Sequence, residues 1–217
     1  MSVAPHSHKP GARSAERWRR LGERLASPPE RPIPFPEIVS LYDDPPRTYH
    51  NLAHIVACLD VFDDVAALAD APDLVEFAIW LHDARYAPGS STNELESARL
   101  AETMLNRMNT EPAAIARIGE LILATRHRPE ALIGDAALIA DVDLAILGAT
   151  CAEYAAYAEA IRAEYREVPD AVYRNGRILV LQGFLERPRI YRTDWFHSQY
   201  DAAARTNLSR EIEQLRR

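Results

Sequence analysis

The sequence predicts an all-α fold, organised as a single-domain helical bundle. Three observations carry that expectation. From about residue 49 onward apolar residues recur with helical period, turn signals such as DDPP (43–46) break the pattern, and strand-like runs such as RILVLQGF (177–184) are short and sit in helical neighbourhoods. At 217 residues the chain is long enough to bury one sizeable core. Its 47% hydrophobic and 26% charged content excludes wholesale disorder.

Residues 1–13 are polar, with His, Ser, Pro and Gly, and read as a disordered tail; the domain is expected over 14–217. In SAERWRRLGERLA (14–26), Trp18, Leu21 and Leu25 stand at helical spacing, with Ser14 as the expected N-cap. The prolines of SPPERPIPFP (27–36) remove backbone donors and restrict the preceding residues, so this stretch reads as a linker or extended arm, with one helical turn over 37–42 after it.

The main helical body follows. In 51–69, Leu52, Ile55, Val56, Leu59 and Phe62 form one stripe; in 73–86, Leu74, Phe77, Ala78 and Leu81 form another. The stretch 93–108 repeats the pattern with Thr92 as its cap, and 112–127 opens with proline at a tolerated first-turn position. A shorter helix over 135–148 ends at Gly148, and helices over 151–168, 171–187 and 193–217 complete the chain.

The formal net charge of −7 argues against a protein that coats nucleic acid. Lys9 is the only lysine, so any phosphate clamp must be built from arginine, whose planar fork donates bidentate hydrogen bonds. Cys58 and Cys151 form no spaced framework, which fits a reducing cytoplasm. No signal-peptide core or membrane-length apolar run is found, so a cytoplasmic protein without membrane span is expected.

The residues that carry chemistry are His50 and His54, the pair His82-Asp83 in the apolar run EFAIWLHDARY, and Asp141-Val-Asp143. His50 and His54, four apart, would share a helix face. They do not make a zincin site, because Asn51 stands where the general-base glutamate belongs. His82 and Asp83 would lie about 100° apart on a helix and meet one ion over its edge. A buried aspartate among apolar residues is costly alone, and a cation relieves the cost. Asp141 and Asp143 would lie about 200° apart, so one is expected inward and the other solvated or supporting the site from outside.

Taken in order, the blocks Tyr49-His50-Asn51-Leu52-x-His54, His82-Asp83-Ala84-x-Tyr86, Asn93-Glu94-x-x-Ser97-Ala98, Ala124-Thr125-x-His127 and Asp141-x-Asp143-Leu144-x-Ile146-Leu147-Gly148 resemble the HD-domain superfamily of metal-dependent phosphohydrolases. More narrowly, they are similar to a bacterial branch whose members carry a YHNLxH motif. The resemblance covers about residues 14–217, including the ending RPRIYRTDWF and ARTNL.

The resemblance implies an HD-type helical domain whose metal ligands are His54, His82, Asp83 and Asp143, with His50 and Asp141 as the competing positions. The cofactor is a divalent ion, with Mn, Fe, Co, Ni, Zn and Mg all compatible with mixed imidazole and carboxylate ligation. Four protein ligands on an octahedral ion leave two positions for water and substrate. The implied activity is hydrolysis of a small phosphorylated substrate, a nucleotide among the candidates. Glu94 would orient the water or act as base, and His127 would protonate the leaving group or bind phosphate. His50, Arg47, Arg85 and Arg126 are the candidate substrate contacts, with Arg128 beside them. Two-metal members of the superfamily often carry a His-His pair where this chain has His127-Arg128, a departure from the binuclear pattern. Two other readings stand beside hydrolysis: a non-catalytic metal- or nucleotide-binding regulator, and a di-iron oxygenase of HD type. A homo-oligomer is left open.

Overall fold

The computed structural model describes residues 11–26, 33–128 and 131–217, and no strand occurs among them. Of the expected tail (1–13) and arm (27–36), residues 1–10 and 27–32 lie outside the described residues; Ile33 and Pro34 are non-helical as expected, but Phe35 and Pro36 already belong to a helix. Ten α-helices are described: α1 (Ala12–Leu25), α2 (Phe35–Tyr42), α3 (Leu52–Val65), α4 (Pro72–Leu81), α5 (Asn93–Arg107), α6 (Pro112–Ala124), α7 (Gly134–Asp143), α8 (Cys151–Glu164), α9 (Asp170–Leu185) and α10 (Asp194–Leu215). Short 3-10 turns follow α3 at Ala66–Leu68 and α7 at Leu144–Gly148. None of these helices is long and apolar enough to cross a membrane.

Besides α2, which starts two residues inside the expected arm, two N-termini differ from expectation. Helix α1 begins at Ala12, inside the stretch expected to be tail: extended Gly11 takes the cap position and its carbonyl receives the N–H of Ser14, which lies within the helix rather than capping it. Thr92 does occupy the cap position of α5, but its hydroxyl is engaged with Ser90 instead of the helix N–H groups.

Helix α4 is the centre of the core. Seven of its residues, Val75 to Leu81, are buried, because α1, α3, α5, α6 and α7 all pack against it. On one side Trp18 of α1 meets Phe77 and Trp80 with ring centroids 5.3 and 5.6 Å apart, and its Nε1–H donates to the Ile33 carbonyl at 2.7 Å. On another, α6 and α7 contribute Ile118, Leu121, Ile122, Leu138, Ile139 and Val142. A helix apolar nearly all round needs neighbours on every side, and this one has them.

The C-terminal half packs onto this core through the turn after α7. Gly148 is required there by proximity: a Cβ would stand 2.7 Å from Cβ and 2.8 Å from the carbonyl oxygen of Tyr200 in α10. Asn207 of α10 donates to the carbonyls of Leu147 and Ala149, satisfying backbone acceptors left over at that turn.

Candidate metal centre

Helices α3, α4 and α7 each deliver a ligand group by way of a terminus. On α3 the signal is Asn51, whose extended backbone and side chain, accepting from Ala53 N–H at 2.9 Å, make it the N-cap. His54 therefore sits in the first turn, buried, and points into the core. His50 lies before the cap, so it does not share a helical face with His54. The two rings nevertheless stand 6.0 Å apart, edge to face, with Tyr49 against both.

Helix α4 ends at Leu81, so His82 is its C-cap and Asp83 lies in the turn beyond, not side by side on a continuing helix. Four carbonyls around this ending are occupied. His82 Nδ1 donates to Ile79 (2.9 Å), the Tyr42 hydroxyl to Trp80 (2.6 Å), Ala84 N–H to Leu81 (3.1 Å), and Arg47 to Asp83. The first of these has a chemical consequence: with its proton on Nδ1, His82 presents the Nε2 lone pair to the interior.

Asp143, the last residue of α7, closes the group. Its Oδ1 is 3.1 Å from His54 Nε2 and 3.3 Å from His82 Nε2; Asp83 Oδ2 is 3.5 and 3.3 Å from the same two nitrogens, which stand 3.3 Å from each other. Atoms bound about 2.1 Å from a common ion stand about 3.0 Å apart at right angles and about 3.4 Å apart at the tetrahedral angle. The four side chains His54, His82, Asp83 and Asp143 thus offer a donor set that could hold a metal ion.

Without an ion the charges settle on one another. Burial alone would strip His82 of its extra proton, but Asp83 and Asp143 outweigh burial and push its imidazole well above the usual value. Burial likewise opposes ionisation of the two carboxylates, yet the histidines hold Asp143 well below, and Asp83 below, the ordinary range. Positive charge between the two carboxylates is thus favoured, and a metal cation could supply it.

Asp141 does not join this group. It is fully buried and points the other way, accepting from Arg192 N–H (2.8 Å), Thr193 N–H (2.7 Å) and the Thr193 hydroxyl (2.7 Å) at the start of α10. The two carboxylates do part, as their spacing predicts, but the one outside the group is not solvated: Asp143, partly exposed, faces the other candidate ligands, and Asp141 is buried against the α10 N-terminus.

Around the four lie further predicted residues. His127 Nε2 meets the other oxygen of Asp143 at 2.7 Å, while its Nδ1 is buried without a partner among the described residues. His50 stacks on Tyr86 with centroids 4.0 Å apart, and its Nδ1 is 2.6 Å from Glu164 Oε2. The other oxygen of Glu164 accepts the N–H groups of Tyr49 and His50, both at 2.8 Å. Burial works against ionisation of Glu164, but the His50 bond and charge and these two N–H groups lower its carboxyl below the ordinary value.

The arginines are placed differently from one another. Arg47 is buried and spends its two terminal nitrogens on the carbonyls of Leu41 and Asp83, so it positions the turn that carries Asp83 and is not aimed at a ligand. Arg126 stands 3.8 Å from Glu94, and neither belongs to the four-residue group. Arg85 and Arg128 are exposed. His197 lies 3.3 Å from Asp201 within α10 and is not part of the four-residue group.

Sequence reasoning passed over Glu164. A signal existed: Tyr154, Tyr157, Ile161 and Glu164 follow one another at helical spacing, so an acid occupies the inward stripe of α8. Compared with family models, curated proteins and solved structures, the chain finds no match.

Proposed function

We propose that the protein is a metal-dependent phosphohydrolase, a phosphatase or phosphodiesterase acting on a small phosphate ester such as a nucleotide. One observation carries the reading: two imidazoles and two carboxylates, brought from three helices, converge with 3.1–3.5 Å between their nitrogen and oxygen atoms. A divalent ion held by His54, His82, Asp83 and Asp143 would polarise a phosphoryl oxygen and lower the pKa of bound water towards about 7. The protein's own groups set the rest. His127 fixes the orientation of Asp143 through Nε2 and is the candidate proton donor to the leaving group. His50, tied to Glu164 and stacked on Tyr86, presents Nε2 as its remaining hydrogen-bonding nitrogen for substrate. Glu94 and Arg126 act as a pair, the carboxylate orienting water and the guanidinium keeping donors for phosphate.

The test is metal analysis of the purified protein followed by hydrolysis assays with p-nitrophenyl phosphate, bis-p-nitrophenyl phosphate and a nucleotide panel in Mn or Ni. Turnover that disappears together with bound metal in Asp83→Ala is the expected result. A metal-loaded protein that cleaves none of these esters, or an Asp83→Ala variant with unchanged metal and turnover, overturns the reading. Two tightly bound irons and no hydrolysis would redirect it to oxygenase chemistry.

A further inference from the structure

Helix α9 turns an uncharged face to solvent. Between Val172 and Gly183 its exposed residues are Val172, Asn175, Gly176, Leu179, Val180 and Gly183, and none carries a charge. The chain as a whole is 26% charged, and α5 exposes Glu96, Arg99, Glu102 and Arg107 over a similar length. Val172, Leu179 and Val180 are 61%, 69% and 52% exposed. At about 100° per residue, these three and the two glycines fall within an arc of about 100°. The arginines of the same stretch lie on the other side, Arg174 on Asp170 and the Leu215 carbonyl and Arg177 on Glu211.

Gly176 and Gly183 stand inside a 16-residue helix, where glycine is among the least favourable residues. Gly148 is required by the closeness of Tyr200, but a Cβ built at Gly176 or Gly183 meets nothing within 4 Å. Packing within one chain therefore gives no reason for either glycine. Close approach of a second helix does, because the distance between helix axes is set by the side chains at the contact.

Gly176, Leu179, Val180 and Gly183 occupy positions i, i+3, i+4 and i+7, the four corners of a hole that receives a side chain from a facing helix. The set reads alike in both directions: its midpoint falls between Leu179 and Val180, with a glycine three residues outside each. An antiparallel copy of α9 meets the same surface under that symmetry, as a two-fold interface requires. Near a two-fold axis each residue also stands close to its own copy, so a charge there would oppose itself, and this face has none. We infer that α9 pairs with α9 of a second copy of the chain, antiparallel about an axis between Leu179 and Val180. The two glycines of each helix let the Leu179 and Val180 side chains of the other reach its backbone. With 16 residues α9 is about 24 Å long, so a pair built on it lies at the small end of specific interfaces and associates in the micromolar range.

Sedimentation equilibrium of the full chain over about 1 to 200 μM reads the pairing directly. Wild type should pass from its 24.4 kDa monomer to twice that mass. Leu179→Glu sets a carboxylate beside its own copy and should weaken association at least about tenfold. Leu68→Glu, a charge at an exposed leucine outside α9, should leave it unchanged. Gly176→Ala and Gly183→Ala separate pairing from helix stability. In dilute protein each should raise the thermal midpoint by about 2–4 °C, since alanine favours an exposed helix, and at higher concentration each should weaken association about tenfold. A wild type that stays monomeric to about 200 μM, or a folded Leu179→Glu variant that associates like wild type, overturns the inference. Should Leu179→Glu fail to fold, the glycine variants decide, and association as tight as wild type in both overturns it. A monomeric wild type that instead sediments with phosphatidylcholine vesicles also overturns it and makes the face a lipid-binding one.

Discussion

Glu164, whose side chain has no exposed surface, holds Nδ1 of His50 at 2.6 Å across 114 residues of sequence. The contact joins the end of α8 to the turn before α3 and selects which His50 nitrogen is left over. Glu164→Gln keeps the shape and an oxygen for the Tyr49 and His50 N–H groups but removes the charge. Turnover is expected to fall about 10- to 100-fold, the usual cost of losing a group that orients an active-site histidine. Metal content should stay near wild type. Steady-state kinetics with elemental analysis checks this.

The same carboxyl sets a pH dependence. Its pKa is lowered in the folded protein, so the stability it contributes is present above the unfolded glutamate value of about 4.3 and is lost as pH falls through the lower folded value. Thermal midpoints measured from pH 7 downward should fall less steeply below about 4.3 in Glu164→Gln than in wild type. Parallel acid limbs would show that the pair adds nothing to stability.

Asp141 and Asp143 should separate cleanly. Asp143→Ala removes a candidate ligand and is expected to abolish metal binding. Asp141→Ala leaves the Arg192 and Thr193 donors without an acceptor and should cost about 3 kcal/mol, or a midpoint lower by about 6–12 °C, with metal stoichiometry retained. Differential scanning calorimetry and metal analysis on both variants read the contrast.

Removing a bound metal should destabilise the protein, since the ion would offset two largely enclosed carboxylates. At a free ion concentration of 100 times Kd the stabilisation is about 2.7 kcal/mol, or about 5–10 °C in a chain of this size. Thermal melts before and after chelation, then with metal restored, test it. A midpoint indifferent to the chelator would mean that the four side chains hold no ion of consequence.

Gly148→Ala should damage the fold and spare the chemistry. The added Cβ meets Tyr200 backbone and side chain at 2.7–2.8 Å, and relieving such overpacking costs about 1–3 kcal/mol. A lowered midpoint with normal metal binding is expected.

Helical periodicity is a local property of the chain, and for that reason the all-α organisation was legible from the sequence alone. Period 3.6 patterns placed every helix from α3 onward to within a few residues, because the stripe that must be buried is written at i, i+3 and i+4. The grouping of His54, His82, Asp83 and Asp143 was implied by the resemblance of the motifs, while the residues themselves left His50 and Asp141 as competitors; the structure brings the first four together. Directions were not legible. Asn51 capping α3 left His50 outside the helix that carries His54; the early end of α4 put Asp83 in a turn; Arg47 went to carbonyls; Asp141 went to the start of α10. Each outcome depends on which distant segment packs alongside, a partner 36 residues away for Arg47, 51 for Asp141 and 114 for His50. The sequence by itself determined the helices and the residue types available for chemistry. Only the tertiary structure decided which of them meet, because hydrogen bonds and charge pairs are satisfied across space rather than along the chain.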